Sequence, residues 1–326
     1  MIKFLQGDCL EKIAELKDDS IDCVVSSPPY WGLRDYGVPG QFGLEPTYQE
    51  HIQNIVKLFR IIKPKLKDSA TIWLNYGDCY ATVPNGTKAG HQKKNKIQFA
   101  NKYLTPDDRT FRDKPFSTIQ GNLKSKDLVM MPNRIAIALQ EDGWYIRSEI
   151  IWHKPNPMPE SIKDRPTSAH EKIWLITKNK KYYYDQEAIK EPCVVGAVKS
   201  KMGGNKYGDH KDYKTKSGNY YKYTGKRNKR NVWTVTTKPF KEAHFATFPP
   251  DLIEPCVLAG CPQGGTVLDP FGGAGTTGLV AQKNKRHAIL IELNPDYIAI
   301  AKKRLNENND TIFAKKATSL RSSAIR

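Results

Sequence analysis

The chain has 326 residues and a net charge of +18, and 39% of its residues are hydrophobic. This length suits one large α/β domain with insertions or two domains, and because no run of about 18 apolar residues occurs, we expect no membrane span. The six cysteines form no CxxC pair, which argues against zinc ligation and disulfides and favours reduced thiols in a cytoplasmic protein without a metal.

Hydrophobic periodicity in the first half of the chain predicts alternating strands and helices. Apolar residues at spacings of three and four indicate helices, and short buried or alternating runs indicate strands. The predicted helices are 9–16, 51–62 and 131–140, and the predicted strands are 1–6, 22–25, 70–74, 145–153 and 172–177.

Two basic stretches interrupt this pattern. Residues 84–127 carry ten Lys or Arg against four Asp or Glu, and residues 178–232 carry fifteen against five. The second stretch also holds eight of the sixteen tyrosines, whereas disordered segments are usually poor in aromatic residues. Localised positive charge with aromatic residues indicates a polyanion partner, because aromatic rings stack on bases while Lys and Arg contact phosphates. The alternative is a solvated, Lys-rich loop.

The C-terminal section has the clearest pattern. After a predicted helix at 248–259, the strands 266–269 and 287–291 are each followed by a helix, 276–282 and 295–305. Such a βαβα unit predicts an α/β fold with a doubly wound, mostly parallel sheet. The weakly basic tail at 308–326 is expected to be loose.

A Gly-rich turn, Asp269-Pro-Phe-Gly-Gly-Ala-Gly275, links the first of these strands to its helix. Its glycines allow a tight turn with close backbone approach to a ligand, and Glu292 at the end of the next strand suits a ribose diol. A carboxylate at Asp269 would repel the pyrophosphate of NAD but attract an ammonium group. The turn therefore favours S-adenosylmethionine, a nucleoside with an α-amino group and no phosphate.

A second motif, Ser27-Pro28-Pro29-Tyr30, follows a predicted buried strand and so lies at the sheet edge where such folds bind ligands. The prolines have fixed φ and lack N–H groups, which makes the turn stiff. The Ser27 hydroxyl and the Pro28 carbonyl can accept hydrogens of an aryl amine and favour its reactive, pyramidal geometry. Tyr30, together with Trp31, can stack on a base. The alternative is a Pro-Pro turn with a packed tyrosine.

The order of the two motifs resembles that of the amino-directed DNA methyltransferases of the β group, in which Ser/Asp-Pro-Pro-Tyr precedes a recognition region and Phe-x-Gly-x-Gly follows it. The similarity covers nearly all of residues 1–307 and includes Gly7-Asp8-Cys9 and His244–Pro249. It implies a Rossmann-like, S-adenosylmethionine-dependent methyltransferase fold with an inserted DNA-recognition region. The implied segments are a catalytic half at 1–177, a target-recognition region at 178–232 and a cofactor-binding half at 233–307.

The resemblance further implies methyl transfer to the exocyclic amine of a base flipped out of duplex DNA. The candidate catalytic residues are Ser27, Pro28, Pro29 and Tyr30. The candidate cofactor-binding residues are Asp8, Cys9, Asp269, Phe271, Gly272, Gly273, Gly275, Thr276, Thr277, Glu292 and Asn294. The candidate DNA contacts are Trp31, Lys226, Arg227, Lys229 and Arg230.

Several alternatives stay open at this stage. Ser in the first motif position is more frequent among cytosine-N4 enzymes, so cytosine is favoured over adenine N6. An RNA or protein-side-chain methyltransferase and a catalytically silent nucleic-acid-binding protein are the other function classes. Cys193 and Cys256 could be carbon-5-type nucleophiles, and His153, His170 and His244 could be bases, but structural roles are favoured. Both a monomer and a homodimer, with or without a separate restriction endonuclease, are compatible with the resemblance.

Overall fold

A computed structural model describes residues 1–83, 98–99, 102–103, 116–192, 212–214, 220–222, 226–237 and 248–306. Cys193, His244, the tail at 308–326 and much of the two basic stretches lie outside the described residues. Within these ranges, no helix is long and apolar enough to cross a membrane.

Every predicted strand and helix is present in the structure, and further short strands occur where none was predicted. The helices are α1 (Cys9–Ala14), α2 (Tyr48–Ile62), α3 (Met131–Glu141), α4 (Pro250–Gly260), α5 (Thr276–Lys283) and α6 (295–306). The strands are β1 (Ile2–Gln6), β2 (Ile21–Ser26), β3 (Leu66–Tyr76), β4 (Gln98–Phe99), β5 (Lys102–Tyr103), β6 (Tyr145–His153), β7 (His170–Thr177), β8 (Glu191–Pro192), β9 (Asp212–Lys214), β10 (Tyr220–Lys222), β11 (Lys226–Arg227), β12 (Val232–Thr234), β13 (Thr266–Asp269) and β14 (His287–Glu292). Short 3₁₀ turns occupy Lys63–Lys65 and Glu187–Ile189.

The main sheet has eight strands in the order β1-β14-β13-β2-β3-β7-β6-β12. Strand β7 is antiparallel to both of its neighbours, and the other neighbouring strands are parallel. The predicted doubly wound, mostly parallel sheet is therefore confirmed. All six residues of β2 are buried, as expected for a central strand that is covered on both faces.

Helices cover both faces of the sheet and form two cores. Successive side chains of a strand point to opposite faces, so Ile72 and Leu74 pack in the core with α1, α2 and α3, whereas Trp73 packs in the other core with α4 and α5. Helix α2 begins earlier than predicted because the Thr47 hydroxyl accepts the Glu50 N–H at 3.2 Å and caps the helix.

The second basic stretch begins against the core. The Tyr183 N–H donates to the Ser69 carbonyl at 2.8 Å, and the Tyr184 ring stacks on Trp73 with a centroid distance of 6.4 Å. Strand β8 pairs with β11 in a short antiparallel ladder, which joins the residues that flank 193–225. The first part of the predicted recognition region, 178–192, thus packs against the core.

Candidate active site

Five neighbouring strands end at one cavity. The cavity is lined by Asp8 after β1, by the Ser-Pro-Pro-Tyr turn after β2, by Phe271 after β13 and by Glu292 at the end of β14. Asn75, near the end of β3, and Glu171, near the start of the antiparallel β7, complete this edge. The carboxyl ends of parallel strands meet at one edge, which is why segments distant along the chain converge there.

The predicted catalytic and cofactor-binding residues fall into two groups in the structure. Those that line the cavity are Asp8, Cys9, Ser27, Pro28, Pro29, Tyr30, Phe271, Gly273, Glu292 and Asn294. Those that lie behind its wall are Asp269, Gly272, Gly275, Thr276 and Thr277. The lining residues that sequence reasoning missed include Tyr36, Gln41, Phe42, Asn75, Trp152, Glu171, Phe248 and Tyr297.

The Glu292 carboxylate accepts hydrogen bonds from backbone N–H groups, one of which belongs to the Gly-rich turn. Glu292 Oε2 accepts the Gly273 N–H at 2.8 Å, and Oε1 accepts the Asn294 N–H at 2.9 Å. Gly273 and Gly275 have φ of +48° and +76°, and a Cβ at Gly275 would lie 2.9 Å from the Ala301 Cβ of α6. This turn therefore requires glycine, and each Glu292 oxygen keeps accepting capacity for a ligand hydroxyl.

Asp8 supplies a second carboxylate at the same end of the cavity. It caps α1, because its Oδ1 accepts the N–H groups of Leu10 at 2.7 Å and Glu11 at 3.3 Å. Phe271 contributes an apolar wall and packs edge-on against Phe42, with ring centroids 5.3 Å apart. Carboxylates beside apolar walls suit a ligand that carries both a cationic group and a flat, apolar base.

Asp269 lies beneath this end of the cavity, so the prediction that its carboxylate contacts a ligand ammonium is wrong. The residue is 2% exposed. Its Oδ1 accepts from the Ser26 hydroxyl at 2.6 Å and the Phe271 N–H at 3.1 Å, and its Oδ2 accepts from the Thr277 hydroxyl at 2.6 Å. These bonds tie the end of β2, which carries the Ser-Pro-Pro-Tyr turn, to the Gly-rich turn.

Burial raises the pKa of the Asp269 carboxyl from its ordinary value to about 7, although its three hydrogen bonds oppose the shift. A carboxyl whose native pKa exceeds its unfolded pKa contributes stability at low pH and loses that contribution as pH rises through the native pKa. We expect the wild type to lose roughly 2–3 kcal/mol relative to Asp269→Asn between about pH 5 and 7. Chemical denaturation of both proteins across this range measures the difference, and parallel pH profiles would contradict it.

The catalytic end of the cavity contains a polar network around Tyr30. The Tyr30 hydroxyl donates to Glu171 Oε2 at 2.8 Å and lies 3.3 Å from Asn75 Oδ1, and the Ser27 hydroxyl donates to it at 3.3 Å. Asn75 Nδ2 donates to Glu171 Oε2 at 3.2 Å, and the Lys154 ammonium donates to Glu171 Oε1. Burial, with the Glu171 carboxylate nearby, holds the pKa of the Tyr30 phenol well above its usual value. Tyr30 is therefore a neutral hydrogen-bond donor.

A second chain of buried polar groups supports the Tyr30 ring from behind. Tyr30 stacks on Tyr76 at a centroid distance of 4.5 Å. The Tyr76 hydroxyl accepts the Trp31 N–H at 2.8 Å and lies 2.8 Å from His51 Nε2, while His51 Nδ1 lies 2.7 Å from Glu45 Oε2. These distances allow the Tyr76 hydroxyl to donate to Nε2 and the Nδ1–H of His51 to donate to Glu45.

Trp31 does not face the cavity, so the prediction that it stacks on a base is wrong. The side chain is 1% exposed, and its Nε1 donates to the Glu45 carbonyl at 2.9 Å. Its ring packs against Tyr48 and Phe116. After Tyr30 the chain turns inward, because the Trp31 N–H is held by Tyr76 within the core.

The four predicted basic DNA contacts lie on and beside β11, outside the cavity lining. Arg227 and Arg230 each donate from Nε to the same Glu191 Oε1 at 2.7 Å. Lys229 lies over the Trp233 ring, 5.0 Å from its centroid, and Lys226 is exposed. The two arginines share one carboxylate and are therefore only partly neutralised, and within the described part of the chain Lys226 and Lys229 form no ion pair.

Among the alternative nucleophiles and bases in the described ranges, Cys256, His153 and His170 all lie outside the cavity lining. Cys256 is fully buried, and burial raises the pKa of its thiol far above the usual range. His153 Nδ1 lies 3.1 Å from the Thr234 hydroxyl at the sheet edge. In the part of the chain that the structure describes, His, Cys, Asp and Glu side chains form no group that could hold a metal ion.

The charge of the cavity is opposite to that of the chain. Its described lining includes the carboxylates of Asp8, Glu171 and Glu292 but no Lys, Arg or His, although the chain carries a net charge of +18. Glu171 is paired with the Lys154 ammonium, so the carboxylates of Asp8 and Glu292 at the Gly-rich end are the ones that would repel a phosphate and attract a cation. The cavity therefore suits a cationic nucleoside at the Gly-rich end and a hydrogen-bond-donating amine at the Tyr30 end.

The strand order, the strand-end cavity and the similarity to known methyltransferases together define a Rossmann-like methyltransferase that uses S-adenosylmethionine. The chain belongs to the DNA methylase family, whose model matches residues 21–303. It is 44% identical over 308 residues to the Type II methyltransferase M.Cfr9I of Citrobacter freundii, covering 94% of this chain and 89% of that protein. It is 45% identical over 303 residues to the Type II methyltransferase M.SmaI of Serratia marcescens, covering 93% and 90%.

Solved structures share the fold at lower sequence identity. PvuII DNA methyltransferase, described as cytosine-N4-specific, superimposes with a TM-score of 0.60 at 18% identity, over 92% of this chain and 85% of that one. M1.HpyAVI, solved as a complex with S-adenosylmethionine, superimposes with a TM-score of 0.54 at 18% identity, over 94% and 100%. The resemblance inferred from the two motifs is thereby confirmed at the level of family and fold.

Proposed function

We propose that the protein is a site-specific DNA methyltransferase that transfers a methyl group from S-adenosylmethionine to the exocyclic amine of a flipped-out base, with N4 of cytosine as the favoured target. One observation carries the proposal. A single cavity joins an acidic, phosphate-excluding end beside the Gly-rich turn to a ring of amine acceptors around Tyr30. Membership of the DNA methylase family supports the same conclusion.

The acidic end fits the cofactor in charge and shape. Glu292 would accept the ribose hydroxyls, Phe271 and Ile291 would flank the adenine, and Asp8 would contact the adenosyl moiety. S-adenosylmethionine, when bound, supplies a methyl group activated by its sulfonium charge. Asp269 lies beneath the cavity, where its hydrogen bonds with Ser26 and Thr277 fix the position of the Ser-Pro-Pro-Tyr turn relative to the Gly-rich turn.

The Tyr30 end positions the amine of the base. The Ser27 hydroxyl and the Pro28 carbonyl accept its two hydrogens, which favours the pyramidal geometry of a nucleophilic nitrogen. The Tyr30 ring, fixed by its hydroxyl on Glu171 and by stacking on Tyr76, provides the face against which the base packs. As the new N–C bond forms, the bond between the methyl carbon and the sulfonium sulfur breaks and its electron pair stays on the sulfur, which leaves as a neutral thioether. The methylated nitrogen becomes positively charged and then releases one proton to water.

Two observations favour N4 of cytosine over N6 of adenine. Ser27 occupies the first position of the catalytic motif, where cytosine-N4 enzymes of the β group more often have Ser. A solved protein of the same fold is described as cytosine-N4-specific. Similarity to Type II methyltransferases also supports duplex DNA with a short defined site as the substrate of this protein.

A single experiment tests both the class and the base. Duplex DNA, RNA and a protein extract are each incubated with the protein and methyl-labelled S-adenosylmethionine, and the digested products are resolved by mass spectrometry. We expect label only in DNA, as N4-methylcytosine, and sequencing of the modified duplex locates the base. N6-methyladenine would reverse the base assignment. Label in RNA or protein alone, or no label in any substrate, would overturn the proposed function.

DNA affinity is expected to fall steeply with salt, because Lys and Arg contacts release counterions from the phosphates. Replacing Lys226 and Lys229 with alanine should reduce the slope of log affinity against log salt by about 2, at about 0.9 per lost phosphate contact. Fluorescence anisotropy at several salt concentrations measures the slope. The matched control is Lys3→Ala and Lys302→Ala, which removes the same charge elsewhere on the surface. An unchanged slope in the Lys226 and Lys229 variant would mean that this edge does not contact DNA.

A further inference from the structure

The connection between β6 and β7 presents one apolar side chain to solvent at the cavity edge. Met158 is 84% exposed. Strand β6 ends at this edge because it runs in the same direction as the parallel strands, and its Trp152 lines the cavity. Met158 follows Lys154 by four residues, and the Lys154 ammonium is bonded to the cavity residue Glu171.

The backbone around Met158 is stiff. Prolines occupy positions 155, 157 and 159, so Met158 lies between two residues of fixed φ and precedes a proline, which restricts its own backbone to extended conformations. The backbone that carries the exposed Met158 side chain is therefore restricted on both sides.

The loop is also anchored on both sides of Met158. Two residues before it, Asn156 Nδ2 donates to the Thr237 carbonyl at 3.1 Å, and Asn156 Oδ1 accepts the Thr237 N–H at 3.0 Å. Two residues after it, Glu160 Oε2 accepts hydrogen bonds from Arg165 Nη1 at 2.9 Å and from the Ser168 N–H at 3.0 Å. Arg165 itself lies over the Tyr80 ring, 3.7 Å from its centroid.

Single exposed apolar residues are common on protein surfaces and by themselves carry no function. Met158 differs because it belongs to a proline-stiffened, doubly anchored loop that begins at the cavity edge, where Lys154 is bonded to the lining residue Glu171. A flipped base leaves a gap in the base stack, and proteins that distort DNA fill such gaps with apolar side chains, among them Met. The unbranched and polarisable Met side chain adapts well to a stack of aromatic bases.

We propose that Met158 enters the base stack of duplex DNA and occupies the space that the target base leaves. The inference rests on the proposed function, since it requires a base that leaves the stack. Met158 would lower the energetic cost of extrusion and would not contact the methyl group or the amine. Its removal should therefore matter most when the target base is well paired.

The test compares two duplexes built around the methylated base identified above, one with the target paired and one with it opposite an abasic site. We expect Met158→Ala to slow methylation of the paired duplex by about ten- to a hundredfold and that of the weakened duplex by less than about threefold, because unpaired bases are extruded more easily. Met158→Leu should restore most of the rate on the paired duplex. Ile137→Ala, which removes another exposed apolar side chain, should match the wild type on both.

A second readout follows extrusion directly. A 2-aminopurine at the target position fluoresces when it leaves the stack, and we expect Met158→Ala to reduce this signal on the paired duplex while S-adenosylmethionine affinity stays unchanged. Equal rates for Met158→Ala and the wild type, or an equal loss on both duplexes, would overturn the role of Met158. If the wild type methylates neither duplex nor any other DNA, the proposed function itself fails.

Discussion

Replacement of Tyr30 by alanine is expected to lower the rate of methyl transfer by about a hundredfold or more while changing S-adenosylmethionine affinity by less than about threefold. Stacking of a base on an aromatic ring contributes about 1–3 kcal/mol, and misplacement of the amine adds an orientation penalty. The affinity should persist because Tyr30 lies at the Glu171 end of the cavity, whereas Glu292 and the Gly-rich turn form the other end. Single-turnover assays with labelled cofactor and calorimetry measure the two quantities.

Two variants sharpen this prediction. Tyr30→Phe keeps the ring and removes only the hydrogen bond to Glu171, so it should retain much more activity than Tyr30→Ala. Ser27→Ala should reduce the rate more than the cofactor affinity, because its hydroxyl faces the amine. Wild-type turnover in Tyr30→Ala would show that Ser-Pro-Pro-Tyr is only a packed turn.

Replacement of Glu292 by alanine is expected to weaken S-adenosylmethionine binding by about ten- to a hundredfold. Both Glu292 oxygens are oriented by backbone N–H groups of Gly273 and Asn294, so the carboxylate is held ready to accept from the ribose. A hydrogen bond to a buried charged group contributes roughly 1.5–3 kcal/mol, which corresponds to this loss of affinity. Calorimetric titration of the cofactor measures it directly.

Asp296→Ala is the matched control for Glu292→Ala. Asp296 is exposed at the start of α6, so its replacement removes the same charge near the site without removing a lining group. Its affinity for S-adenosylmethionine should stay within about twofold of the wild type. Equal losses in the two variants would mean that the cavity attracts the cofactor through its overall charge and that Glu292 makes no specific contact.

The sequence predicted the sheet well because its central strands are short, continuous apolar runs that end in distinctive turns. Strand β13 has the predicted bounds, and β2 differs from its prediction by one residue at each end. The predicted ligand contacts were wrong for two residues at the edges of the motifs. Trp31 and Asp269 stand next to cavity-lining residues in the chain, yet both point into the core, because a tight turn sends successive side chains in different directions.

Asn75 and Glu171 show what local sequence reasoning could not supply. Neither belongs to a motif, and 96 positions separate them. They meet at Tyr30 because the antiparallel β7 pairs with β3, a topology that hydrophobic periodicity does not determine. A signal was nevertheless present, since each is a polar residue at the end of a buried strand. Polar ends of buried strands could therefore have been considered as candidates alongside the motifs.

The hydrogen bond from Ser26 to Asp269 spans 243 positions of sequence but only the gap between two adjacent strands. The separation between methyl donor and acceptor is consequently set by strand spacing, not by the length of chain between the two turns. Segments inserted between β7 and β12 can lengthen, shorten or be exchanged in evolution without changing that separation. One chemical centre can therefore be combined with different DNA-reading segments, and new sequence specificities can arise without redesign of the reaction.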